Sequence, residues 1–68
     1  MPDYADSYHN RGVRYALVGE HQMAISDFTE VLRIRPDDRR TRLNRGLSFR
    51  ALDMENEAVD DLRVAEGG

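Results

Sequence analysis

At 68 residues the chain has room for one small domain, and with no cysteine it has neither a disulfide staple nor a thiolate metal site to support it. Thirteen acids against ten basic residues, all of them Arg, leave a formal charge of -3, which argues against nucleic-acid binding because phosphates need a positive field. No apolar run nears the roughly 20 residues of a membrane span, and Met1-Pro2-Asp3 opens without a basic, apolar leader, so a soluble cytoplasmic protein is the expectation.

The spacing predicts a first helix over residues 3–17, with Asp3 as N-cap and Asp6 adding charge to the first turn. Tyr4, Tyr8, Gly12 and Tyr15 fall on one face, which is expected to be buried. Gly12 gives up about 1 kcal/mol of helix propensity relative to Ala, a loss that makes sense where another helix passes too close for a side chain; Ala24 is the expected neighbour. Val18-Gly19-Glu20 is the turn, since Gly ends a helix by adopting positive φ.

A second helix follows over residues 21–34, with Ala24, Ile25, Phe28, Val31 and Leu32 as its apolar stripe. Pro36 stops it, and Asp37-Asp38 supplies the cap for a third helix, residues 38–51, carrying Leu43, Gly46, Leu47 and Phe49. Leu52-Asp53-Met54 forms the next turn, with Asp53 tolerating the left-handed conformation. The fourth helix, residues 55–66, turns Ala58, Val59, Leu62 and Ala65 inward, and Gly67-Gly68 caps or frays it. Charge is segregated along the way: Arg33 to Arg50 holds seven Arg against Asp37 and Asp38, while Ala51 to Gly68 holds six acids against Arg63.

The order conceals a repeat. Asn10-Arg11-Gly12 returns as Asn44-Arg45-Gly46, and the same shift of 34 lays Tyr15 on Phe49, Ala24 on Ala58, Ile25 on Val59, Asp27 on Asp61, Phe28 on Leu62 and Val31 on Ala65. Such a period is the mark of a stacked helix-turn-helix unit. Through Tyr8, Gly12, Tyr15, Ala24, Phe28 and Pro36 in residues 5–38, and Gly46, Phe49, Ala58 and Ala65 in residues 39–66, the chain resembles the tetratricopeptide repeat family. It departs from the family in placing Arg11 and Arg45 at a usually apolar position and Arg42 at the first aromatic. The fold class expected is all-α: one domain over residues 1–68, built of two tandem helical hairpins, the second truncated.

The resemblance implies a protein-protein interaction module whose concave groove is lined by the first helix of each hairpin. The groove candidates are Asn10, Val13 and Leu17 from the first copy and Arg40, Asn44, Leu47 and Arg50 from the second. Asn10 and Asn44 offer amide donors and acceptors to an extended peptide, and Arg40 and Arg50 suit carboxylates, so an acidic segment is the expected partner. The family's carboxylate-clamp subclass would want Lys at His9 and Asn at Val13; only Asn44 fits it. Catalysis, metals and cofactors are not expected: His9 and His21 lack ligand spacing, Ser7, Ser26 and Ser48 sit mid-helix, and no phosphate loop occurs.

Two hairpins fall short of the roughly three repeats such arrays usually need. The outer edge of the fourth helix keeps Val59 and Leu62, which makes a homo-oligomer, with basic third helix near acidic fourth helix across the interface, the expected structural alternative. A neighbouring repeat of a longer scaffold would cover the same edge.

Overall fold

The computed structural model describes residues 3–67; Met1, Pro2 and Gly68 lie outside them, and with Gly68 one half of the expected C-terminal cap. Among the described residues the chain is all-helical and contains no strand: α1 Tyr4–Leu17, α2 His21–Ile34, α3 Arg39–Ala51 and α4 Glu55–Ala65. α1 packs on α2 and α3 on α4 as two hairpins; α2 lies against α3 and joins them, and α1 reaches α3 over a short stretch. The result is a slab of 34 × 28 × 14 Å.

The helix ends follow from local chemistry. Asp3 accepts from the amide of Asp6 at 3.0 Å and Asp38 from the amide of Thr41 at 3.1 Å, so each hairpin opens on a side-chain cap. Both hairpin turns close identically. Glu20 donates to the Tyr15 carbonyl at 2.8 Å around Gly19 at φ +83, and Met54 donates to Phe49 at 2.9 Å around Asp53 at φ +60. Asp thus does at position 53 what Gly does at position 19, a left-handed residue satisfying the last carbonyls of a helix. At the far end Gly67, φ +83, donates to Val64 at 2.9 Å and ends α4.

The core is Ala5, Ala24, Phe28, Val31, Leu32 and Ala58. It differs from the expected one in three places. On α1 the buried residues are Ala5, His9 and Gly12, a face displaced by one residue from the tyrosine line. Tyr4 is 81 % exposed because no helix lies over that side of the first turn, and Tyr8 and Tyr15 are half-buried. On α4 Val59 is exposed rather than inward, since α4 has only α3 to pack on.

The third difference concerns the glycines. A Cβ on Gly12 would stand 2.7 Å from Cε1 of Phe28 and 3.2 Å from Cβ of Asp27; one on Gly46 would stand 3.0 Å from Leu62 and 3.1 Å from Cβ of Asp61. The close approach is real, but the residues nearest each glycine lie a helical turn beyond Ala24 and Ala58. The reason is register: the buried Phe28 and the half-buried Leu62 fill the void that the missing side chain leaves.

Candidate functional site

Each hairpin is clamped by a bidentate ion pair across its two helices, and in the second Arg42 adds a further contact to the same carboxylate at 3.5 Å. Arg11 gives Asp27 two hydrogen bonds, Nε to Oδ2 at 2.8 Å and Nη2 to Oδ1 at 2.7 Å. Arg45 repeats them on Asp61 at 2.7 and 2.8 Å. The geometry is the bidentate fork that a planar guanidinium makes with a carboxylate. Both aspartates are buried, and the Asp27 hydrogen bonds and charge hold the Arg11 guanidinium above its ordinary pKa. Arg11 also lies over the rings of Tyr8 and Tyr15, and Arg45 over Phe49. Arg11 and Arg45 are thus each matched by a buried aspartate on the facing helix of the same hairpin. The signal, Arg and Asp recurring at the same period, was present in the sequence.

Between the hairpins, α3 receives both histidines. His9 Nδ1 and Thr41 Oγ1 are 3.0 Å apart and both residues are buried; His21 Nδ1 and Ser48 Oγ are 3.2 Å apart. His9 also tilts against Phe28, with 5.8 Å between ring centroids. Burial, helped by the charge of Arg40 and opposed by Asp38 and Asp6, pushes the His9 pKa below its ordinary value. A hydroxyl at Thr41 and Ser48, where an apolar residue would complete a stripe, is what gives each imidazole a partner; reading α3 by its leucines alone misses it. Leu43 and Leu47 are exposed.

Beside this junction lies a mostly apolar groove of about 210 Å³, lined by Val13, Ala16 and Leu17 of α1, His21 and Phe28 of α2, and Asn44, Leu47 and Ser48 of α3. α1 and α3 form its walls, α2 its floor. Of the groove candidates, Val13, Leu17, Asn44 and Leu47 come together here. Asn10, Arg40 and Arg50 are exposed and do not line it. Arg40 stands 3.9 Å from Asp38. Asp6 and His9, on the same helix, are already occupied, Asp6 by Arg35 at 3.2 Å and His9 by Thr41. Val59 is exposed on α4, whereas Leu62 is half-buried against Gly46.

A second, polar depression of about 370 Å³ lies on α1 among Tyr4, Ser7, Tyr8, Arg11 and Arg14. Among the described residues no three His, Asp or Glu side chains gather to hold a metal, and no helix is long and apolar enough to cross a membrane. Compared with known protein families, with characterised proteins and with solved structures, the chain matches none.

Proposed function

We propose that the chain is a cytoplasmic, non-catalytic interaction module of the tetratricopeptide repeat type, holding an extended segment of a partner protein in the groove between α1 and α3. The observation that carries this reading is the groove itself. Val13, Ala16, Leu17 and Leu47, over the buried ring of Phe28, give it an apolar surface that takes an aliphatic side chain, and Asn44 sets an amide beside it for the partner's backbone. Arg50 follows Leu47 by one turn on α3, and Arg40 stands toward the start of the same helix, so acidic residues flanking the apolar anchor are favoured.

The 34-residue period and its matching glycine, alanine and aromatic positions support the family assignment. No cofactor enters this function, and the two His-hydroxyl pairs serve the junction rather than a reaction.

The test is a titration of the labelled chain with short peptides that carry one Leu or Ile beside a C-terminal acidic pair, followed by amide and methyl shifts. Shifts should centre on Val13, Leu17, Asn44 and Leu47. Asn44→Ala and Leu47→Asp should each weaken binding by roughly ten-fold or more, while Arg50→Ala should weaken it less and flatten its salt dependence. Absence of any shift at these four residues with peptides of either charge would contradict the reading.

A further inference from the structure

The internal repeat makes one helix of each hairpin a guide to the environment of its counterpart. α3 is covered on its outer side by α2, and the cover is visible at Arg45: Nη1 reaches Thr29 Oγ1 at 3.2 Å, and the side chain is 18 % exposed. α1 is the counterpart of α3, and Arg11 the counterpart of Arg45, yet with nothing in the place of α2 it remains 52 % exposed. Around it lies the open depression of Tyr4, Ser7, Tyr8, Arg11 and Arg14.

The opposite end has the complementary lack. α4 is the counterpart of α2, whose Val31 and Leu32 are buried; the residues in their places, Ala65 and Glu66, are half-buried and exposed, and Val59 and Val64 are exposed beside them. Among the described residues no helix covers α1 as α2 covers α3, and none covers α4 as α3 covers α2.

We infer that the two ends fit one another: α4 of one copy docks on α1 of a second in the register that α2 and α3 already share. The register fixes the contacts. The pair His21 and Ser48 becomes Glu55 of one copy facing Arg14 of the next, two exposed side chains of opposite charge. His9 and Thr41 become Leu43 facing Ser7, which lays α1 of the second copy beside α3 of the first and lengthens the groove wall. Thr29 and Arg45 become Arg63 facing Arg11. This like-charge meeting is softened because Asp27 already neutralises Arg11, and the rings of Tyr8 and Tyr15 lie beside it. It sets the association as weak and reversible. The contact joins two different surfaces, so it does not close on itself as a two-fold dimer does.

Sedimentation equilibrium of the full chain from micromolar to millimolar concentration tests this. The average mass should climb past that of a dimer without a plateau. Glu55→Arg and Arg14→Glu should each weaken association by roughly ten-fold, and an equimolar mixture of the two variants should recover it, because each then meets an opposite charge at both ends. Arg63→Thr, which restores the residue found at position 29, should tighten it several-fold. All three positions are exposed, and an unchanged helical spectrum excludes misfolding as the cause. A monomer throughout would overturn the inference. So would a dimer plateau abolished by Val59→Asp and indifferent to Arg14→Glu, the signature of α4 pairing with α4. Peptide binding at the groove is measured separately and stands or falls on its own.

Discussion

Arg11 and Arg45 make the same two hydrogen bonds to the same residue type, but Arg11 is half in water while Arg45 is held under α2 with Arg42 beside it, 3.5 Å from Asp61. Identical chemistry in the two hairpins thus sits in different dielectric surroundings. What differs is the neighbour: among the described residues none lies on the α1 side of the first hairpin, whereas the second hairpin has the first. In a repeat protein the energetic weight of a motif is set as much by the adjoining unit as by the motif.

The sharpest way to break this comparison is to remove each carboxylate in turn. Asp61→Ala strands two guanidiniums that are mostly covered, and thermal or urea unfolding should show a loss of roughly 3 kcal/mol, at the low end for a broken buried pair because some water reaches both. Asp27→Ala leaves Arg11 free to turn into solvent and should lose clearly less. Equal losses would mean that the junction adds nothing to the clamp.

The glycines reverse the ranking. At Gly12 an added methyl group meets Phe28, which is fully buried and has no room to yield, so Gly12→Ala should destabilise by about 1–2 kcal/mol after its gain in helix propensity. At Gly46 the methyl group meets Leu62, half-buried at the open edge, and Gly46→Ala should change stability by less than about 0.5 kcal/mol. A melting temperature lowered as much by the second as by the first would contradict the view that the α4 edge is the pliant one.

The smallest effect is acid sensitivity at the junction. The folded chain keeps His9 neutral, with a pKa below its ordinary 6.5, so the unfolded state takes up the proton first. Its contribution is complete above 6.5 and is lost as pH falls from there towards the lower folded value. Unfolding midpoints should drop between about pH 7.5 and pH 5.5, and His9→Gln should flatten that slope. A midpoint that rises on acidification over this range would have the sign wrong.

How much of this was readable beforehand depends on how local the cause is. Four helices, their caps at Asp3 and Asp38, and the positive-φ turn at Asp53 follow from neighbouring residues and stand where the sequence places them. The buried face of α1 lies one residue from the tyrosine line, because a small Ala5 and a hydroxyl-paired His9 pack closer to the neighbouring helices than a tyrosine does. The glycines meet residues a turn beyond Ala24 and Ala58 because periodicity fixes which face meets which and leaves the axial offset of two antiparallel helices undetermined. At the groove, Val13, Leu17, Asn44 and Leu47 converge because they share a face and a hairpin period; Asn10, Arg40 and Arg50 are exposed and lie outside the lining, since charge and amide content carry no information on which face of a helix meets its neighbour.

The α2–α3 junction couples the two hairpins into one body and so holds α1 and α3 together along the groove. Native-state hydrogen exchange measures it directly. The account predicts that the central amides of α2 and α3 share the highest opening free energy, with the uncovered helix α4 opening at a lower one, and that Asp61→Ala lowers protection in α2 as well as in α3. Exchange in which α1 with α2, and α3 with α4, open as two independent units, each blind to a mutation in the other, would contradict it.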